Sequence, residues 1–225
     1  AADLNIAMYG RHGEAPLPIV AAYSPSNCFD AAIEAARIAL KYRTPVILLS
    51  DGYLANGTEP WLLPDVSTLP DISAHSQTEP NHVADDGTSE DWPYLRDPLT
   101  KARPWAIPGT PGLEHRIGGI EKEDGTGNIS YDPANHEHMV HVRANKVAGI
   151  ANDIPLLEVF GDVDDAELLV IGWGSTWGAI DGAVNRCRNR GRRVAHAHLV
   201  HLNPFPSNLA EVLRRYPRVV VPELN

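Results

Sequence analysis

The residues best placed for chemistry stand in a glycine-rich turn, Gly172-Trp173-Gly174-Ser175-Thr176-Trp177-Gly178. It follows an apolar run and opens a helical pattern. Backbone N–H groups at Gly174 and the Ser175 and Thr176 hydroxyls could therefore meet an anion. A nicotinamide dinucleotide is the first ligand to weigh. Its ribose is normally held by an acid at the end of the second strand, but here that strand ends His196-Ala197-His198-Leu199-Val200-His201, with no acid. The glycine spacing is also a variant. A plain tight turn or subunit contact is the favoured reading, with a phosphate or other anion at Gly174, Ser175 and Thr176 as the alternative.

Tyr9-Gly10-Arg11-His12-Gly13-Glu14 offers a second constellation. Arg11 can hold a carboxylate through two N–H groups, and His12 can hydrogen-bond a carbonyl. The competing reading is a turn closed by an Arg11–Glu14 pair. In Asn135-His136-Glu137-His138-Met139-Val140-His141, His138 and His141 share one helix face. No HExxH pattern accompanies them, so a solvated face is preferred to a metal site. His196 and His198 share one face of a strand and either line a cleft or pack as hydrogen-bonded core. Glu123-Asp124-Gly125-Thr126-Gly127-Asn128 has neither calcium-loop spacing nor the separation of a thiamine motif, and reads as a polar turn. No Ser/His/Asp set with nucleophile-elbow context is present. Cys28 and Cys187 are the only cysteines, too few for a cubane cluster and suited to a reducing cytosol.

Three segments must position these residues. In 16–54, an apolar strand at 17–22 precedes a helix whose expected core face is Phe29, Ala32, Ile33, Ala36 and Leu40, with Ser26 or Asn27 as N-cap. Asp30, Glu34, Arg37 and Lys41 occupy the other face, and Val46-Ile47-Leu48-Leu49 follows as a fully apolar strand, giving a β-α-β unit. In 54–135, prolines and glycines recur without hydrophobic period, yet Trp61, Trp92, Tyr94 and Trp105 argue for an arm docked on this chain or a partner. A helix from about Pro133 to Gly149 follows, capped by Asp132. From Asp165 on, strand (168–171), helix (face Ala179, Ile180, Ala183, Val184, Cys187), strand (193–199), a helix capped by Ser207 and strand (219–221) predict a parallel, doubly wound sheet. The fold class is α/β: two parallel-sheet units joined by a long irregular arm.

Nineteen basic against 29 acidic residues give −10, which argues against nucleic-acid or anionic-membrane partners. No apolar run reaches bilayer length and no secretory signal opens the chain, so a cytoplasmic location is expected. The chain starts at Ala1 without Met and stops just after a strand-like run, so an internal piece of a longer protein is expected.

Several segments together resemble the alpha subunit of 2-oxoacid:ferredoxin oxidoreductases. Met8-Tyr9-Gly10-Arg11-His12-Gly13-Glu14 and Tyr42-Arg43-Thr44-Pro45-Val46-Ile47-Leu48-Leu49-Ser50-Asp51-Gly52-Tyr53-Leu54 resemble the later part of its pyrimidine-type domain. Arg103-Pro104-Trp105-Ala106-Ile107-Pro108-Gly109-Thr110-Pro111-Gly112 and Tyr131-Asp132-Pro133 resemble the 2-oxoglutarate branch. Leu169-Val170-Ile171-Gly172-Trp173-Gly174-Ser175-Thr176 and His201-Leu202-Asn203-Pro204-Phe205-Pro206 resemble its transketolase-C-terminal-like domain.

The resemblance implies residues 1–70 as the end of the pyrimidine-type domain, 71–154 as the arm plus helix, and 155–225 as an incomplete transketolase-C-terminal-like domain. It implies a multisubunit enzyme that turns 2-oxoglutarate, coenzyme A and oxidised ferredoxin into succinyl-CoA, CO2 and reduced ferredoxin. Thiamine diphosphate, Mg and an iron–sulfur cluster would be held mainly by a beta subunit, with none bound by this segment alone. Ferredoxin and coenzyme A would be met through the complex, and alpha–alpha contacts are expected. No catalytic residue or metal ligand carries over; Arg11 and His12 are candidates for the substrate's neighbourhood. The alternatives are a subunit acting on pyruvate or another 2-oxoacid, and a non-enzymatic anion-binding domain.

Overall fold

The computed structural model describes residues 2–224. Helix α1 (Ala2–Tyr9), which has no counterpart in the sequence-based reading, leads to strand β1 (Ile19–Ala21), helix α2 (Asn27–Tyr42) and strand β2 (Ile47–Leu49). β1 and β2 are parallel, with Val20 opposite Leu48, so the expected β-α-β unit is present. β2 is an edge strand, and Leu48 is 38% exposed, so it is not the fully buried strand its composition suggests.

α2 is rolled about its axis relative to the expectation. It buries Ala31, Ile38 and Tyr42, whereas Ala32 is exposed and Phe29, Ile33, Ala36 and Leu40 are half-buried. The cause is ion pairing that lets polar groups flank the inner face. Arg37 donates to Glu34 at 2.6 Å and to Asp153 at 2.7 Å, and Lys41 reaches Asp153 at 2.6 Å. His201 Nε2 lies 2.9 Å from Glu34. Burial opposes ionisation of Glu34, but hydrogen bonds from Arg37 and His201, with their charges, outweigh it and hold the carboxyl at about 2. Paired and hydrogen-bonded in this way, the charges tolerate partial burial. Ser26 sits at the N-cap position, but its N–H and hydroxyl, with that of Ser24, go to the Glu59 carboxylate. Asn27 Oδ1 instead accepts the Tyr23 N–H at 3.1 Å.

Helix α3 (Gly52–Asn56) opens the arm, whose further regular structure is a 3-10 turn (Val66–Thr68) and the small antiparallel pair β3 (His82–Val83) and β4 (Ser89–Glu90). Its aromatics dock on this chain. Trp61 lies 5.5 Å from Phe29, Trp92 stacks on His82 at 3.6 Å, and Trp105 carries the Arg43 guanidinium at 4.1 Å. Helix α4 (Pro133–Gly149) begins as its sequence predicts, with Asp132 accepting the Ala134 N–H at 3.0 Å and Pro133 in the first turn.

The second unit contains β5 (Val159–Gly161), β6 (Leu168–Trp173), α5 (Trp177–Arg188), β7 (Val194–Leu199), β8 (His201–Asn203), α6 (Leu209–Arg215) and β9 (Val219–Val220). Its sheet runs β5-β7-β6-β9, parallel except for β5, an edge strand the sequence reading missed. α5 buries Ile180 and Val184 against Leu168 and Val170, while Val212 of α6 joins Leu169 and Ile171 on the other face, so the unit is doubly wound. Cys187, expected on the buried face of α5, is exposed. Ser207 does not cap α6; Asn208 stands there, its side chain bridging the N–H and carbonyl of Leu157 at 2.8 and 2.9 Å.

β8 is the decisive addition. It leaves the second sheet after Leu199 and pairs antiparallel with β1, completing the order β2-β1-β8. β1 is thus buried on both faces. Ile19 and Ala21 enter one core with Leu169, Ala197 and Leu202; Val20 and Ala22 enter another with Ala31, Ile38 and Ile154. No helix among the described residues is long and apolar enough to cross a membrane.

In the intact subunit, Ile38→Ala is expected to cost about 2–5 kcal/mol of stability, and Ile33→Ala less than half as much. Denaturant midpoints with the reverse ranking would contradict the observed roll of α2. Glu34, held at about 2, contributes stability that is complete above the ordinary carboxyl range and is lost as pH falls from about 4.5 through 2. Glu34→Gln should remove about 1–2 kcal/mol at neutral pH, the shift being discounted for solvent screening of a half-buried carboxyl, and flatten the acid limb of the stability curve; an unchanged acid limb excludes this role.

Candidate functional site

The carboxyl ends of β1, β2 and β6 converge on a cavity of about 360 Å³, the usual place for ligands in open α/β sheets. Gly174, Ser175 and Thr176 line it together with Asp51 and Trp173. Two glycines make the turn possible. Gly174 has φ +59°, a left-handed conformation, and a Cβ on Gly172 would lie 2.3 Å from Ile180 Cδ1. The hydroxyls are already engaged: Thr176 donates to the Trp173 carbonyl at 2.7 Å, and Ser175 donates to the Asp51 carboxylate. Asp51 also caps α3 by accepting the Leu54 N–H at 2.9 Å. The Ser175–Asp51 bond therefore ties the two α/β units together.

An anion beside Ser175 would face the Asp51 charge. Asp3 and Glu223 line the same cavity and no Lys or Arg does. The three acids do not suit a diphosphate, whose charge they would repel. Among the described residues no group of three or more His, Cys, Asp or Glu could hold a metal ion.

A second cleft, of about 570 Å³, opens between α2 and the second unit. Tyr23, Phe160 and Trp177 form one end, with Tyr23 and Phe160 ring centroids 5.3 and 5.8 Å from Trp177. Trp177 also covers His196 at 4.7 Å and His198 at 5.1 Å. His198 Nε2 donates to the Gly174 carbonyl at 3.0 Å. Burial and the His196 ring pull its pKa down to about 4 against that bond, so the ring is neutral near pH 7. His196, 1% exposed, has no hydrogen-bond partner on either nitrogen among the described residues, and burial lowers its pKa too. The two rings pack as core beneath Trp177. The opposite wall is the Glu34, Arg37, Asp153 and His201 network, which sequence reasoning missed because Glu34 and Arg37 read as solvated helix face.

Arg11 and His12 lie apart from the turn. The Arg11 guanidinium terminates α1, donating to the carbonyls of Ala7, Met8 and Ala15 at 2.6, 3.0 and 3.0 Å. Glu14 pairs with Arg143 at 2.5 Å instead of with Arg11. Arg11, but not His12, lines a small cavity of about 300 Å³, and His12 is exposed. His136 meets Glu121 at 2.6 Å and His138 meets Asp124 at 2.8 Å, so these two exposed α4 histidines serve separate, half-buried acids.

Residues 2–130 match the family model of pyruvate flavodoxin/ferredoxin oxidoreductase, thiamine-diphosphate-binding. The chain is 57% identical over 224 residues to 2-oxoglutarate oxidoreductase subunit KorA of Mycobacterium tuberculosis, covering all of this chain and 33% of that protein. It is 31% identical to the alpha subunit of 2-oxoacid:ferredoxin oxidoreductase 1 of Aeropyrum pernix, covering 99% of this chain and 34% of that one. The solved 2-oxoglutarate:ferredoxin oxidoreductase from Magnetococcus marinus, with 2-oxoglutarate, coenzyme A and succinyl-CoA bound, superposes with a TM-score of 0.85 at 30% identity. That match covers 99% of this chain and 37% of the other. The chain thus spans about a third of the length of these relatives. Its α/β fold and its resemblance to oxidoreductase alpha subunits are both borne out, and the chain belongs to the pyruvate flavodoxin/ferredoxin oxidoreductase thiamine-diphosphate-binding family.

Proposed function

We propose that this chain works within the alpha subunit of a thiamine-dependent 2-oxoglutarate:ferredoxin oxidoreductase of the cytoplasm. The reaction is 2-oxoglutarate, coenzyme A and oxidised ferredoxin to succinyl-CoA, CO2 and reduced ferredoxin. The observation that carries this reading is the 57% identity to a 2-oxoglutarate oxidoreductase subunit across the whole chain, arm included.

The division of labour is the one that the family resemblance implies: a beta subunit supplies the Mg and diphosphate cradle and the iron–sulfur cluster. The acidic lining of the cavity at β1, β2 and β6, which disfavours a diphosphate, is in keeping with it. This chain supplies scaffold, subunit contacts and one wall of the active-site cleft. Its parts are the end of a pyrimidine-type domain (1–70), the arm and α4 (71–154) and a transketolase-C-terminal-like domain (155–225). Arg11 and His12 are our candidates for the substrate's neighbourhood, His12 on the exposed turn after α1 and Arg11 holding that turn through its bonds to Ala7, Met8 and Ala15. Pyruvate is the competing substrate.

In the intact enzyme, kcat/KM for 2-oxoglutarate in ferredoxin reduction is expected to exceed that for pyruvate by about tenfold or more, since a site built to pair the second carboxylate is left unpaired by pyruvate. Equal or reversed values would transfer the assignment to pyruvate. Calorimetry of this chain alone with thiamine diphosphate and Mg should show no tight binding; tight binding would contradict the division of labour.

A further inference from the structure

The cleft between α2 and the second unit, with a volume of about 570 Å³, falls within the roughly 300–1,000 Å³ of small-molecule sites. Four carboxylates, those of Asp30, Glu34, Asp153 and Glu158, line it with one guanidinium, that of Arg37. Arg37 is already spent. Its Nε and Nη2 donate to Glu34 at 2.6 and 2.9 Å, and its Nη1 donates to Asp153 at 2.7 Å. Lys41, from outside the lining, takes the other Asp153 oxygen at 2.6 Å. Two cations thus answer Glu34 and Asp153. Asp30 and Glu158 are exposed, and neither makes a side-chain hydrogen bond or ion pair among the described residues.

The unmatched nitrogen on the lining is an acceptor too. His198 is 8% exposed, and its Nε2 donates to the Gly174 carbonyl. Its Nδ1 therefore holds a lone pair, buried and without a partner among the described residues. The aromatic end supplies a third feature. Tyr23 and Phe160 flank Trp177 there, and Phe160 and Leu156 present apolar surface, 44% and 60% exposed. A ring face attracts a cation and repels an anion, while its area favours an apolar body. An anion entering the cleft would find no lysine or arginine on the lining that is free to pair with it.

We propose that this cleft binds a small organic cation, an ammonium or amidinium group carried on an apolar body. Asp30 and Glu158 supply the counter-charge, and the Tyr23, Phe160 and Trp177 end receives the apolar part. The Glu34, Arg37 and Asp153 network forms a fixed wall, because its charges are already satisfied among themselves. The site is separate from the cavity at β1, β2 and β6. It stands whichever oxoacid the enzyme uses.

The test is saturation-transfer NMR with benzamidine titrated into the full-length subunit within its complex. Benzyl alcohol and benzoate, which keep the ring but carry no charge or the opposite one, are titrated alongside. Benzamidine is expected to bind saturably, and benzyl alcohol and benzoate about tenfold more weakly or less. The double variant Asp30→Asn/Glu158→Gln, at two exposed positions, should weaken benzamidine by about tenfold, and Phe160→Leu by about threefold. Glu137→Gln, on the exposed face of α4, should leave the affinity unchanged. Benzyl alcohol binding as tightly as benzamidine overturns the proposal, since the charge then plays no part. So does benzamidine affinity that is unchanged in both the double variant and Phe160→Leu, or an absence of saturable binding.

Discussion

The architecture rests on the hydrogen-bonding needs of one three-residue strand. β1 is buried on both faces and has a partner on each edge, β2 on one side and β8 on the other. An edge left bare at that depth would strand backbone donors and acceptors without water. β8 meets the need, and Ala21 N–H also donates to the Val200 carbonyl at 2.8 Å. Because β8 continues directly from β7, one stretch of chain is shared by two sheets. The two α/β units are therefore joined by backbone as well as by side chains.

The other links across the junction reinforce that seam from both sides. At the carboxyl ends of the strands, Ser175 bonds Asp51. Beside α2, His201 of β8 meets Glu34, and Asp153 draws in Arg37 and Lys41. These polar links are directional, so they fix the orientation of two units whose apolar cores alone would permit sliding. The cavity at the strand ends owes its shape and its negative charge to this arrangement.

Much of the fold was legible because it is written locally. The β-α-β unit, the Asp132-Pro133 start of α4 and the parallel β6, β7 and β9 all follow from periodicity, capping chemistry and apolar runs. The roll of α2 was not, since apolar count favours the Phe29, Ile33, Leu40 side. Only the distant Asp153 and His201 show why Glu34 and Arg37 flank the inner face. β8 was hidden for a similar reason: Leu202 alone carries no strand pattern, and its pairing depends on β1. At the candidate sites, the glycine turn was correctly placed as a strand-to-helix turn, while the acid facing Ser175 comes from another segment and left no local mark. The aromatic residues of the arm did announce docking. The Arg43 and Arg96 guanidinium groups that meet two of those rings carried no such signal, since each ring comes from another part of the chain's path or from a turn without hydrophobic period.

The union of β1 with β8 also bears on the order in which the chain acquires structure. Asn203 reaches back to the Leu17 carbonyl across 186 residues of sequence. During synthesis β1, α2 and β2 emerge early, yet the far edge of β1 waits until nearly the whole second unit has left the ribosome. Such long-range closure is slow, and an unfilled apolar edge is a place where wrong strands can pair.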